Sequence, residues 1–303
     1  MHAERRPNPA VLTAMAVVAA VAAGACATAP PRLEHARMAS AALGHEMRYA
    51  VYAPSDRDRS SPLPLVVFLH GGGDDSRCFD DAGVGEMLDR AMAAGQAPKA
   101  VIVVPEGDLG FWTNWADGSH RYEDWVVQDL VPEVARRYAT MPCPEGCHVS
   151  GISMGGIGAL RMAFHHPEIF GSVTSISGPI LDARRMVEFS NSFFYKNYVG
   201  IGRIFGPVDD PARLAKEDLF VRWSRAEDLR GTRLFVAWGT DDRPGVIESN
   251  RAFDTHLRAH GIPHRSLVFA GGHRWSAWRG VIVPMLRFAV LGEMGDAAPG
   301  GGK

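Results

Sequence analysis

A large net charge of either sign is absent from this sequence. Its 303 residues include 32 lysines and arginines against 34 aspartates and glutamates, which leaves a formal charge of −2 at pH 7. The sequence has no basic run or stripe, which a protein that binds the phosphates of DNA or RNA needs. We therefore expect no nucleic-acid partner.

Cysteine is scarce as well, with four residues in the chain. Cys143 and Cys147 enclose a short turn, and no second pair of ligands lies near them, as a zinc site would require. In an oxidising compartment the two thiols could close a small disulfide loop. The disulfide is the preferred interpretation, and a metal site is the alternative.

The twelve histidines give no metal motif either. His256, His260 and His264 recur every four residues, which would place them on one face of a helix. His264 lies beyond Gly261 and Pro263, however, so one helix cannot present all three. A solvated helix face explains the first two better, and we expect no metal ion.

The apolar run near the N-terminus is too short to span a membrane. Val11 to Ala25 covers about 15 residues, against the ~20 that a transmembrane helix needs. Arg5 and Arg6 precede it, as in the charged segment of an export signal. We expect an export signal over residues 1–25, with the mature protein in the periplasm or secreted. A buried N-terminal helix is the alternative, but the run has no caps.

The small residues before Cys26 resemble a bacterial lipoprotein processing site. Lipidated Cys26 would then attach the protein to a membrane. A cut by an ordinary signal peptidase is the alternative and would release the protein. We assign residues 26–44 to a tether and the Gly- and Ala-rich residues 293–303 to a disordered tail.

The most informative segment surrounds Ser153. A β-prone run precedes Gly151-Ile152-Ser153-Met154-Gly155, and a helix-prone run follows it. Glycines two residues to either side allow the strained turn that presents a serine at a helix start. Free N–H groups there can stabilise an oxyanion. The pattern predicts a nucleophilic Ser153, with the Met154 N–H as an oxyanion donor. A serine in a tight glycine turn is the alternative.

Three further segments carry the other residues that a serine nucleophile needs. Each of these segments follows a predicted buried apolar run. The glycine-rich loop His70–Asp74 is of the type that donates an oxyanion-hole N–H in α/β-hydrolases. Asp241 and Asp242 follow the next such run, and His273 follows the last. The chain order of Ser, Asp and His is that of α/β-hydrolases. We expect Asp242 to orient His273, with Asp241 as the alternative.

Strand patterns alternate with helical patterns along most of the chain. This alternation predicts a mainly parallel central sheet with helices on both faces, the α/β-hydrolase fold, over residues 45–292. Residues 180–216 interrupt it and are rich in aromatic side chains, so we assign them to a short cap insertion over the pocket.

Several of these motifs resemble the esterase D family of α/β-hydrolases. That family includes S-formylglutathione hydrolases, feruloyl and acetyl-xylan esterases, and mycolyltransferases. The resemblance covers roughly residues 45 to 290, and its motifs are His70 to Asp74, Thr113-Asn114-Trp115, Tyr122-Glu123-Asp124, Ser150 to Leu160, Gly239 to Asp242, and Gly271-Gly272-His273 with Trp275.

The resemblance implies an ester or thioester hydrolase that needs no cofactor. It implies Ser153, His273 and Asp242 as the catalytic triad. The family's usual second oxyanion donor corresponds to the N–H of Gly72, in addition to that of Met154.

Aromatic residues cluster near two of these motifs. Trp112, Asn114 and Trp115 follow a predicted strand end, and Trp275 lies beside His273. We expect these four to line the pocket mouth, because flat aromatic walls suit sugar rings or aryl groups. The alternative is that the tryptophans are core residues.

The sequence therefore predicts a serine carboxylic-ester hydrolase. We expect it to form an acyl-enzyme with short-chain or aromatic acyl esters, including small-molecule and carbohydrate esters. One alternative is an acyltransferase that passes the acyl group to a sugar hydroxyl. A non-catalytic binding protein is a third interpretation, but it predicts a broken triad, and the triad residues are all present.

Overall fold

A computed structural model describes residues 33–58, 60–193, 195–207, 210 and 217–293. The predicted export signal, Cys26 and residues 294–303 of the predicted tail lie outside the described residues, as do parts of the predicted cap. No helix in the described ranges has the length and apolarity needed to cross a bilayer.

A single sheet of eight strands organises the described chain, in the order β1-β2-β4-β3-β5-β6-β7-β8. β1 and β2 form an antiparallel edge, and the strands from β4 to β8 run parallel to one another. The predicted mainly parallel sheet is confirmed. The strands are β1 Glu34–Ala39, β2 Glu46–Tyr52, β3 Leu65–Leu69, β4 Val101–Pro105, β5 Cys147–Ile152, β6 Ser172–Ile176, β7 Arg233–Gly239 and β8 His264–Phe269.

The central strands form because their sequences are continuously apolar. Every residue of β3 and β4 is buried, as expected where helices cover both faces of a parallel sheet. The α-helices are α1 Cys78–Asp81, α2 Val84–Ala93, α3 Tyr122–Asp124, α4 Val131–Tyr138, α5 Met154–His165, α6 Ala183–Asn191, α7 Ile201–Phe205, α8 Leu219–Arg222, α9 Pro244–Ala259 and α10 Trp275–Leu291. A π-helical segment, Trp125–Leu130, joins α3 to α4.

The first strand corrects the predicted tether. Residues 34–39 pair with β2 along their whole length, so the sheet begins before residue 45 and the tether assignment is wrong from β1 onward. The strand escaped detection because it is a polar edge strand. Only Ala36 and Met38 are partly buried in it, and the other four residues are exposed.

The described part of residues 180–216 forms α6, a π-helical segment Tyr195–Val199 and α7. Its aromatic rings pack on the loop that follows β4. The Phe111 ring lies edge-on to Phe189 and Phe205, at centroid distances of 6.2 and 5.5 Å. The main-chain N–H of Ala116 in that loop donates to the carbonyl of Ile204 at 2.9 Å. This segment therefore packs on a loop at the carboxyl edge of the sheet.

A disulfide joins Cys143 to Cys147 just before β5, with the two Cα atoms 4.9 Å apart. Cys78 is a buried free thiol. The structure thus contains the disulfide that was preferred over a metal site.

Candidate active site

Ser153 lies in the turn between β5 and α5, in a backbone conformation that side chains rarely adopt. Its φ is 52° and its ψ is −118°. The flanking glycines make this turn possible. A Cβ on Gly151 would lie 2.2 Å from the carbonyl oxygen of Gly155, and a Cβ on Gly155 would lie 1.9 Å from that of Leu69. Any larger residue would push the turn away from β3, so the glycines hold the serine in place.

Three side chains from three strand ends meet at this turn. Ser153 Oγ lies 2.8 Å from His273 Nε2, and His273 Nδ1 lies 2.7 Å from Asp242 Oδ1. An ionised carboxylate can only accept, so the proton is on Nδ1, and Nε2 is left to accept the serine proton. The structure therefore brings together the serine, histidine and aspartate that the sequence singled out.

Asp242 is held as an anion. Its side chain is fully buried, and burial by itself would raise its pKa. Hydrogen bonds from His273, from the Ser177 hydroxyl and from the Arg243 N–H outweigh burial, so the pKa of Asp242 is lowered. The Trp278 indole donates in turn to Ser177 Oγ at 3.0 Å. The carboxylate thus keeps its charge although its side chain is fully buried.

Ser177 was not found from the sequence. It follows β6 with a φ of 52°, and its hydroxyl reaches Asp242 because β6 and β7 are neighbours in the sheet. Its only sequence signal is its position directly after a buried strand.

Asp241 points away from the histidine. It is exposed, its side chain accepts from the Thr240 hydroxyl at 3.0 Å, and its N–H donates to the carbonyl of Gly271 at 3.0 Å. Asp241 therefore stabilises the turn, whereas Asp242 contacts the imidazole.

The two predicted oxyanion donors are the N–H groups of Met154 and Gly72. The Met154 N–H is the first of α5 and has no partner within the helix. No backbone carbonyl among the described residues accepts from Gly72. The loop lies against the turn, since a Cβ on Gly71 would be 3.4 Å from the Cβ of Ser153, and one on Gly72 would be 4.0 Å from the Cβ of Met154.

Buried contacts hold the loop that carries Gly72. His70 is fully buried, and its Nδ1 bonds to the Gly71 carbonyl at 2.8 Å. Its Nε2 lies 3.7 Å from Glu106. Burial would raise the pKa of Glu106, but His70 and Arg48 outweigh burial and lower it. His70 therefore anchors the loop and does not face the serine.

Trp112 corrects one of the predicted pocket residues. Its side chain has no solvent exposure, and its indole donates to the His70 carbonyl at 3.2 Å. The ring fills space left by two glycines, because a Cβ on Gly107 or Gly158 would lie 2.3 or 2.8 Å from it. A positive φ of 57° at Trp112 turns the side chain into the core. The assignment of Trp112 to the pocket mouth is wrong.

The other three predicted pocket residues are half-buried and have internal partners. Asn114 Oδ1 accepts from the N–H of Asp124, the last residue of α3, at 3.2 Å. The Trp115 indole donates to the Gly110 carbonyl at 3.2 Å. The Trp275 indole donates to Asp74 at 3.1 Å. Of these, Trp275 is the one tied directly to the loop that carries Gly72.

An exposed leucine lies beside the loop and was missed. Leu109 is 45% exposed, and its Cδ2 would be 3.3 Å from a Cβ on Gly72. An apolar side chain at this place offers a contact for the carbon chain of an ester. It lies in an irregular loop, and no sequence signal marks it.

No group of three potential metal ligands occurs in the part of the chain that the structure describes.

The family model described as "Putative esterase" matches residues 40–289. The chain belongs to this esterase family. It is 30% identical to Esterase Rv1288 of Mycobacterium tuberculosis over 80% of this chain and 56% of that protein. It is 25% identical to the iron(III) enterobactin esterase of Dickeya dadantii, over 84% of this chain and 54% of that one. The chain thus spans about half the length of these relatives.

A solved ferulic acid esterase superposes with a TM-score of 0.70 at 22% identity, over 86% of this chain and 98% of that one. Likeness at this identity establishes the fold. The α/β-hydrolase fold predicted from the motifs is therefore confirmed, as is the family resemblance.

Proposed function

We propose that this protein is a serine carboxylic-ester hydrolase. The observation that carries the proposal is the continuous hydrogen-bonded chain from Ser153 Oγ through His273 to the buried Asp242. Membership of an esterase family supports the same reaction class. The triad, Gly72 and Met154 are the proposed catalytic machinery.

The geometry supports a two-stage reaction. His273 takes the Ser153 proton as Oγ attacks the ester carbonyl, and the tetrahedral oxyanion is stabilised by the N–H groups of Gly72 and Met154. His273 then gives its proton to the leaving alcohol, which leaves an acyl-enzyme. Water repeats the cycle on the acyl-enzyme and releases the acid. Asp242 stays ionised throughout and stabilises the imidazolium that forms in each stage.

The proposed substrates are esters with a short-chain or aromatic acyl group, including carbohydrate esters. Leu109 offers an apolar contact beside Gly72, and one structural neighbour is named a ferulic acid esterase. Trp115, Asn114 and Trp275 remain candidates for contacts with the alcohol part.

A panel of p-nitrophenyl esters tests this proposal. We expect higher kcat/KM for acetyl, butyryl and feruloyl esters than for the palmitoyl ester, and labelling of Ser153 alone by a serine-directed phosphonate. Ser153→Ala should lose about 10⁴- to 10⁶-fold in rate. A rate within tenfold of wild type would refute the nucleophile. If added sugar becomes acylated in preference to hydrolysis, the protein is an acyltransferase instead.

We also propose that the protein is exported, as a lipoprotein anchored through Cys26 or in free form. The charged and apolar segments of residues 1–25 support this proposal, and a disulfide suits an oxidising compartment. Cys26→Ser should move an anchored protein from the membrane fraction to the soluble fraction. An unchanged distribution, with no lipid on Cys26 by mass spectrometry, would favour free secretion.

A further inference from the structure

A cavity of about 430 Å³ lies between the antiparallel edge of the sheet and the chain that follows the Gly72 loop. We call it the arginine cleft. Arginine side chains from three separate segments line it, namely Arg37 on β1, Arg48 on β2 and Arg77 after the loop. Its other lining residues are His35, Ala36, Tyr49, Asp75 and Ser76.

Two of these arginines oppose each other directly. Arg37 and Arg48 are partners in the antiparallel register of β1 and β2, so their side chains leave the sheet on the same face. Like charges at directly opposed positions destabilise a strand pair. The Arg37–Arg48 pair therefore destabilises the pairing of β1 with β2.

Nearby carboxylates compensate only part of the positive charge. Arg48 is 3.1 Å from Glu106, and Arg77 is 4.0 Å from Asp75. His35 is paired with Asp80 at 2.7 Å. Arg37 has no carboxylate within ion-pair distance among the described residues. The cleft therefore has room and unpaired charge for an anionic group.

The strand residues that line the cleft lie at the same edge of the sheet as Ser153. Tyr49 pairs with Pro105 at the carboxyl end of β4, and the Glu106 N–H donates to the Arg48 carbonyl at 2.9 Å. β2 and β5 are three strand spacings apart in the sheet order, which corresponds to about 14 Å. An extended substrate can cover that distance.

We propose that the arginine cleft binds a carboxylate or phosphate group on the polar part of the ester substrate, so that the enzyme prefers acidic carbohydrate esters to neutral ones. This proposal rests on the proposed hydrolase function. The planar guanidinium group matches both anions through paired hydrogen bonds. The large apolar side chains exposed in the described chain all lie outside the cleft, which favours a discrete anion over a membrane surface.

The kinetic test compares two acetylated trisaccharides with one backbone, trigalacturonate and its carboxyl-reduced neutral form. Acetate release gives kcat/KM for each. We expect wild type to prefer the acidic ester, and Arg37→Gln and Arg77→Gln each to lower that preference about fivefold to tenfold. The preference should also fall with added salt. Arg90→Gln is the matched control, since Arg90 is an exposed arginine on α2.

Hydrolysis of p-nitrophenyl acetate separates the two proposals. It should be the same in wild type and in both variants, because neither arginine contacts Ser153. If wild type fails on this ester, the hydrolase proposal fails. If wild type cleaves it but shows no acidic preference, or if the variants slow acidic and neutral esters equally, the arginine-cleft proposal is overturned.

Calorimetric titration with galacturonate and with inorganic phosphate identifies the anion independently of turnover. Binding of either anion to wild type, lost in the Arg37→Gln/Arg77→Gln double variant, supports the proposal and names the group. Binding of neither, or binding only to vesicles of anionic lipid, overturns it.

The melting temperature distinguishes a ligand-binding role of Arg37 from a structural role on the edge strand β1. If Arg37 is kept for a ligand, Arg37→Gln relieves repulsion from Arg48 and raises Tm by about 1–2 °C at low salt. A lower Tm would make Arg37 a structural residue and would contradict the proposal.

Discussion

Trp275 donates its indole N–H to the carboxylate of Asp74 at 3.1 Å. This contact joins the segment that carries His273 to the loop that carries Gly72. Burial raises the pKa of Asp74, and the bond from Trp275 acts against that increase. One hydrogen bond therefore links the segment of the proposed general base, His273, to the loop of the proposed oxyanion donor, Gly72.

Trp275→Phe should lower kcat about tenfold with little change in KM, because the loop loses the contact that places the Gly72 N–H. Steady-state kinetics on p-nitrophenyl acetate measure the effect. Trp238→Phe is the control, since the Trp238 indole has no hydrogen-bond partner in the described structure. An equal loss in both variants would mean that only ring volume matters.

The two neighbouring aspartates give a sharper contrast. Asp242→Asn should cost about 10⁴-fold in kcat/KM, since an amide favours the wrong tautomer of His273. Asp241→Asn should leave the rate within about twofold, because the exposed Asp241 contacts a turn hydroxyl. The reverse order would overturn the assignment of Asp242.

Leu109→Ala should shift acyl preference towards bulkier groups. Removal of the side chain above Gly72 opens space, so the ratio of feruloyl to acetyl kcat/KM should rise about threefold to tenfold. Val221→Ala is the control, because Val221 is a similarly exposed aliphatic residue on α8. An unchanged ratio would mean that the acyl group does not contact Leu109.

Glu123 should make stability depend on pH. Burial would raise the pKa of Glu123, but hydrogen bonds from His165 and His166 outweigh burial and lower it to about 2. Burial would lower the pKa of His166, but its bonds to Glu123 and Glu168 outweigh burial and raise it. The carboxylate contributes stability above the unfolded glutamate pKa, and this is lost as pH falls towards 2. The imidazolium contributes below the unfolded histidine pKa, and this is lost as pH rises through the raised folded value.

Glu123→Gln should therefore reduce the free energy of unfolding most between about pH 4.5 and 6.5, the range between the two unfolded pKa values. Urea unfolding at a series of pH values measures the difference. Glu168→Gln, which changes a 66% exposed carboxylate on the same histidine, should have a much smaller effect. If the difference in unfolding free energy between wild type and Glu123→Gln does not vary with pH, ion pairing of Glu123 with the two histidines is ruled out.

The parts of the site that follow from local chain geometry were predictable. The turn at Ser153 needs small residues at Gly151 and Gly155, and such a requirement is visible in sequence. The buried strands were also predictable, because a strand that is buried on both faces needs a continuous run of apolar residues. β1 was missed because an exposed polar edge strand has no apolar pattern.

Contacts between distant segments were not predictable. Ser177 reaches Asp242 only because β6 lies beside β7. Trp112 is a core residue because Gly107 and Gly158, far apart in sequence, leave space for its ring. Neither relationship follows from composition or periodicity.

The close approach of Gly155 to Leu69 has a consequence for how this chain can diverge. A methyl group at Gly155 would lie 1.9 Å from a carbonyl oxygen of β3, so the glycine is needed to build the fold whether or not the serine reacts. A descendant that lost catalysis would still keep it. Glycines around the turn therefore report shared ancestry, and activity in a relative is to be judged from Ser153, His273 and Asp242 together.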